Sequence, residues 1–230
     1  MSAQLLKALA AGLSLALACQ AQADGAASAA EHCGACHALE APDFAGLGQS
    51  ERLGRQAPPL FFAGNKYREN WLEAWLQAPE TVYPTGYFPH AALISTPEGD
   101  QPDPQSVHQH SALDAASAKE VADYLMSLKP YDDLVAAVAY NPGKVAQRMG
   151  SMDFRKFKGC NACHQDAPGE GGFSGPVMYN AAARLQAEYL VSFISDPKAW
   201  DPNTIMPRID MNAAAVGKLV DYLRLIGGEE

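Results

Sequence analysis

The chain is short of positive charge. Its 230 residues carry 17 Lys+Arg against 26 Asp+Glu, a formal net charge of −9. So few cations cannot neutralise a row of phosphates, which excludes nucleic acid as a partner and disfavours an anionic membrane surface. A redox protein partner with a basic docking face is favoured instead, because complementary fields speed encounter. Long apolar runs are scarce as well. The one candidate lies at the start, where Lys7 precedes an apolar core from Leu13 to Ala18 and Ala21-Gln22-Ala23 stands before Asp24. That order is an export signal with a small-x-small cleavage site, too short to span a bilayer. With no later run long enough, residues 1–23 read as a signal peptide, and the mature chain as periplasmic without a transmembrane segment.

Cysteine is sparse too, at five residues. Cys19 falls inside the signal. Leu17-Ala18-Cys19 also offers a lipid-anchoring site, although Ala16 stands where a leucine is usual. The other four form Cys33-Gly34-Ala35-Cys36-His37 and Cys160-Asn161-Ala162-Cys163-His164. Two cysteines separated by two residues, with histidine directly after, is the attachment signature of a c-type haem. Each sulfur adds to one vinyl group of the porphyrin, and the adjacent imidazole reaches the iron from the same side. Two covalently bound c-type haems are therefore expected, attached through Cys33, Cys36, Cys160 and Cys163, with His37 and His164 as proximal iron ligands. Zinc sites and thioredoxin-like disulfides share this cysteine spacing. A zinc site leaves the loop around Met206 unexplained, and a redox disulfide calls for a βαβ unit that the sequence does not suggest.

The two halves repeat. Set without gaps from Pro58 and from Pro176, Trp71, Leu72, Trp75 and Leu76 fall opposite Tyr189, Leu190, Phe193 and Ile194, and Pro79 opposite Pro197. Apolar residues at such spacing make one face of a helix, which a proline then closes. Asp123-Tyr124-Leu125 and Asp221-Tyr222-Leu223 end matching second helices. Ser117 to Glu120 reads as a capping box for the first of these. Asn212 reads as the N-cap of the second, with Gly227-Gly228 as its stop. No run alternates as a strand does, so the fold class expected is all-α. Two small domains are expected, 24–131 and 132–230, joined by a linker over 132–143 that holds a short helix. Neither would bury much core alone, and a haem would supply the missing apolar contacts.

Both halves resemble class I cytochrome c domains, and the mature chain resembles a tandem dihaem cytochrome c over nearly its whole length. The two Cys-x-x-Cys-His motifs carry the resemblance. So do the Pro58-Pro59 and Gly175-Pro176 turns, the stretch Thr204-Ile205-Met206-Pro207, and closing helices containing Tyr124 and Tyr222. The resemblance implies two cytochrome c-like helical domains, each wrapped around one haem. It also implies a proline carbonyl that accepts the second N–H of the proximal imidazole, and Met206 as distal ligand of the second haem. A thioether there raises the potential relative to two imidazoles. Met211 is the fallback; Met178 and Met126 read as packing residues.

The distal ligand of the first haem is where the repeat breaks. Carrying the middle-helix alignment onward sets Phe88-Pro89 opposite Met206-Pro207, and phenylalanine cannot bind iron. Counting back from the closing helix sets His108 there instead. The two counts differ by an insertion at about 90–110 that contains His90, His108 and His110. Imidazole is a strong iron donor, so the order of preference is His108, then His90, then His110. His32 reads as a surface residue.

Single-electron transfer between redox partners, one haem His/Met and the other His/His, is the function expected. The chain would serve as a free carrier or as a subunit of an oxidoreductase. The competing class is a haem enzyme in which the first haem keeps an exchangeable site for peroxide or for a sulfur or nitrogen compound, with the histidines as acid–base groups. Nothing beyond the haem motifs forms a catalytic constellation, which favours the carrier.

Overall fold

The computed structural model describes residues 24–87 and 92–229. The segment expected to be an export signal, with Cys19, lies outside them, as do Phe88, Pro89 and His90. A first helix, α1, runs through residues 24–33 and ends at Cys33. It is followed by α2 (Gln49–Leu53), α3 (Ala63–Lys66) and α4 (Glu69–Gln77). A hairpin comes next, β1 (Leu93–Thr96) and β2 (Gly99–Pro102), then α5 (Ala115–Ser127) and α6 (Asp132–Ala136). In the second half α7 (Gln147–Met152) runs into a π turn at Asp153–Phe157, and a single 3-10 turn at Cys160–Ala162 carries the second motif. A second hairpin pairs β3 (Gln165–Ala167) with β4 (Glu170–Gly171). The chain closes with α8 (Ala181–Arg184), α9 (Ala187–Ser195), α10 (Pro197–Trp200) and α11 (Ala213–Ile226).

The all-α expectation is overturned. Of the described residues 45% are helical and 7% lie in small antiparallel sheets. Strands of two to four residues show no alternation that a sequence window can register. Their signals are turn residues instead. Gly99 at φ 110 follows the Pro97-Glu98 turn, where the Thr96 hydroxyl accepts from the Glu98 N–H and donates to the Gly99 carbonyl. Gly169 and Gly171 hold φ 74 and 118 at the second turn. A Cβ on Gly171 would strike the His164 carbonyl, so glycine is what lets this hairpin close against the motif.

The ungapped alignment places α3 opposite α8 and α4 opposite α9 at identical bounds. Packing explains the helices. In α5, Ala118, Val121, Ala122 and Leu125 are buried, and in α11, Val216, Leu219, Val220, Tyr222 and Leu223. These are single apolar faces at helical spacing. The cap of α5 is Asp114 rather than Ser117: its carboxylate accepts from the N–H groups of Ala116 and Ser117. Asn212 caps α11 through the Ala215 N–H. Glycine permits close crossings in both halves. A Cβ at Gly25 of α1 would lie 2.6 Å from the Glu120 carbonyl of α5, and one at Gly150 of α7 would run into the Tyr222 ring of α11.

The halves share one hydrophobic cluster, in which Phe62 lies 5.6 Å from Trp200 and 6.4 Å from Tyr189, ring centre to ring centre. Between them Tyr67 and Leu185, equivalent positions of the repeat, form an antiparallel bridge. The Arg68 N–H donates to the Arg184 carbonyl at 2.9 Å, and the Gln186 N–H to the Lys66 carbonyl at 3.0 Å. Each bond is the counterpart of the other, so the two copies meet about a local pseudo-two-fold. The connecting segment is tied at both ends. Asn65 bonds the Tyr131 N–H and the Asp132 carboxylate, and Asp221 accepts from the Tyr140 hydroxyl and the Gly143 N–H. Among the described residues no helix is long and apolar enough to cross a membrane.

Candidate cofactor sites

The first motif sits where α1 ends. His37 Nδ1 lies 2.7 Å from the Pro58 carbonyl oxygen. A carbonyl only accepts, so Nδ1 carries the proton and Nε2 keeps a free lone pair. The second motif repeats this, with His164 Nδ1 2.8 Å from the Pro176 carbonyl oxygen. Such a bond fixes the tautomer and the ring orientation of an imidazole metal ligand. Burial lowers the His37 pKa to about 4 against the raising effect of the Pro58 bond, and lowers that of His164 likewise. Both rings are neutral donors at neutral pH. Gly175 is required beside the second: a Cβ there would lie 2.5 Å from His164 Cε1.

The four motif cysteines form no disulfide. Burial pushes the Cys160 thiol up to about 11 and raises that of Cys33. Thiols of this kind are not the lowered, electropositive cysteines of disulfide exchange.

A cavity of about 640 Å³ opens beside the first motif, lined among others by Cys33, Cys36, His37, Trp71, Trp75, His108 and His110. Its size and apolar aromatic wall are those of a site for a large flat ligand. Tyr67, Trp71 and Trp75 form a ladder with ring centres 5.6 and 5.8 Å apart. His110 continues it edge-on to Trp75 at 4.9 Å. The His110 ring centre is 6.0 Å from that of His37, and the His108 ring meets His110 at 5.6 Å. His90 lies outside the described residues.

Buried cations stand at and behind the lining of the cavity, which the sequence reading missed. Arg184 lines it at 3% exposure, and Lys66, its repeat equivalent, is 8% exposed. Burial lowers the pKa of both, with Tyr83 and, for Lys66, Asp201 acting against it. Arg55 also lines the cavity and bonds across the halves to the Asp201 carboxylate at 2.7 Å and the Asn203 carbonyl at 2.9 Å. Tyr87 shares the same carboxylate at 3.2 Å. Arg55 Nε and Asn203 Nδ2 are buried donors without an acceptor, and a buried donor is costly until it finds one. One signal was available: Lys66 and Arg184 align as basic residues at the same step of the repeat.

Met206, the distal ligand expected for the second motif, lies in the loop between α10 and α11 with its N–H 3.3 Å from the Thr204 hydroxyl. It stands apart from the shared hydrophobic cluster, whereas Met178, Met211 and Met126 pack in or against it. Tyr189 and Trp200 are core, at 4% and 0% exposure. Two large apolar side chains near the motif and Met206 in sequence, Phe157 and Ile205, are left exposed. Compared with protein-family models, curated protein sequences and solved structures, the chain has no match.

No three His, Cys, Asp or Glu side chains among the described residues converge as a chelating set. A haem iron needs only axial donors from the protein. The residues around the first motif are able to hold such a group: two thiols, a neutral imidazole with a free Nε2, an aromatic wall, and buried cationic donors for the porphyrin's carboxylates. The second motif offers the same thiols and imidazole, with a thioether in the following loop.

Proposed function

We propose that the chain is an exported c-type cytochrome with two haems, similar to tandem dihaem cytochromes c, that passes single electrons between redox proteins. The observation that carries this reading is the duplicated proximal device. In each half a Cys-x-x-Cys-His motif presents an imidazole whose Nδ1 is held by a proline carbonyl, leaving Nε2 for a metal. When bound, haem supplies a one-electron iron couple. Cys33, Cys36, Cys160 and Cys163 would attach it, and His37 and His164 would hold the iron from the proximal side. Met206 would complete the second site and one of the insertion histidines the first. Arg184 and Arg55, which line the cavity, would face the porphyrin's carboxylates, and the aromatic ladder would pack against its ring. The net charge of −9 suits a partner with a basic docking face.

A pyridine haemochrome assay on protein matured in an exporting host tests the reading. It should return two haems per chain with the absorption of thioether-linked porphyrin, and a redox titration should remove two electrons singly. Colourless protein, or one porphyrin per chain, overturns it. Carbon monoxide separates this function from a catalytic first haem: a carrier leaves both reduced spectra unchanged, whereas an exchangeable site binds the gas.

A further inference from the structure

We propose that His110, rather than His108 or His90, is the sixth ligand of the first haem iron, directly across from His37. This rests on the haem reading of the first motif and deepens it. Two imidazoles bound trans to one ion at about 2 Å each have ring centres roughly 6 Å apart once both ring radii are added. The His37 and His110 rings, both lining the cavity, stand 6.0 Å apart. Among the described residues His110 is the imidazole in ring contact with His37; His108 meets His110 instead.

The placement of His110 is built in. Trp75, near the end of α4, meets its ring edge-on at 4.9 Å. The Leu113 N–H donates to the Leu76 carbonyl at 2.9 Å, pinning the segment behind His110 to the end of α4. The indole of Trp75 is itself fixed by its Nε1–H to the Glu80 carbonyl at 3.0 Å. Counting back from the closing helices favours His108 only if the preceding segments follow the same path in both halves. The clamp of Leu113 on Leu76 re-routes the first, and brings a residue nearer the helix opposite His37. An imidazole pair gives a lower potential than imidazole with thioether, so His110 would make the first site the electron-donating end of the chain.

The test uses the full chain, matured with both haems and read by electron paramagnetic resonance, by visible and near-infrared spectra, and by carbon monoxide. His110→Ala should convert one haem of the two to a high-spin, carbon monoxide-binding form that added imidazole returns to low spin. His110→Met, which keeps a donor in place should the alanine variant mature poorly, should add a second sulfur-to-iron near-infrared band. His108→Ala and His90→Ala should leave both haems low-spin and closed to the gas. The assignment is overturned if His110→Ala leaves the wild-type spectrum, or if His90→Ala or His108→Ala opens the site instead. Failure of the underlying reading is separate: the wild-type protein would then lack two haems before any variant is made.

Discussion

The two halves hold the histidine of their motif alike and differ in what the chain sets around it. In both, an imidazole directly after the second cysteine meets a proline carbonyl at 2.7 and 2.8 Å. The chain reaches that proline by unlike routes: through α2 in the first half, and through the β3–β4 hairpin in the second. For the other axial position the candidates are Met206, from a loop just ahead of the closing helix of the second half, and the histidines of an insertion clamped to α4 in the first. A bond between near neighbours survives changes in the intervening loop. A contact that depends on how a whole loop crosses a cavity does not, and that is where duplicated domains diverge.

The largest break in the comparison comes from removing one attachment site at a time. Cys33→Ala with Cys36→Ala, or Cys160→Ala with Cys163→Ala, should each cut the haem content from two per chain to one by pyridine haemochrome. The near-infrared sulfur-to-iron band should survive the first pair and vanish with the second. Met206→Ala should remove the same band while keeping both porphyrins; persistence of the band would return the second distal site to Met211.

A smaller break concerns stability. Asp166, with a fully buried side chain, accepts from Arg155 at 2.9 Å and from the Tyr222 hydroxyl at 2.7 Å, tying β3 to the π turn and to α11. Asp166→Ala takes from the Tyr222 hydroxyl its carboxylate acceptor and leaves Arg155 with Glu170 alone, a loss of roughly 3 kcal/mol. The exposed Lys119–Asp123 pair on α5 is the contrast: Asp123→Ala should cost less than about 0.5 kcal/mol. Chemical denaturation of the loaded protein compares the two. Beside the proximal rings, Gly175→Ala forces the new methyl against His164 and should cost about 1–3 kcal/mol. The aligned residue of the first half is already Ala57, and Ala57→Gly should cost under about 1 kcal/mol. Equal effects would mean that the two rings are packed equally tightly.

How much of this was legible depends on the range of each interaction. The two motifs, the middle helices and the Asn212 cap are local patterns and could be read directly. Asp114 was missed because Ser117 and Glu120 offered a plausible capping box three residues on, while the carboxylate reaches both free N–H groups first. The hairpins were missed because Gly169 and Gly171 mark a turn without any alternating strand to announce it. The buried cations were missed because Lys66 and Arg184 look like ordinary surface residues in a helical pattern. They are buried only because the Tyr67–Leu185 bridge folds the halves together about their shared axis. The order proposed among the insertion histidines rests on the ring distance to His37 and on the backbone bond from Leu113 to Leu76, neither of which spacing can reveal.

The smallest difference lies at the two closing helices. Asp114 accepts from the Ala116 and Ser117 N–H groups and from the Ser117 hydroxyl, while Asn212 accepts from the Ala215 N–H alone. Losing an N-cap costs about 1 kcal/mol, within a range of roughly 0.5–2. Asp114→Ala should fall toward the upper end, because it frees two backbone donors and also removes a negative charge from the positive end of the helix dipole. Asn212→Ala should fall toward the lower end, since one donor is freed and no charge is lost. Asp114→Asn separates the two contributions. It keeps a side-chain oxygen for the backbone but not the charge, so high salt, which screens the dipole interaction, should narrow its gap from wild type while leaving the Asn212→Ala gap unchanged. Thermal melts of the haem-loaded variants at low and high salt measure this. If Asp114→Ala and Asn212→Ala shift the midpoint equally at low salt, the additional acceptor bonds at Asp114 add nothing to the stability of the first half.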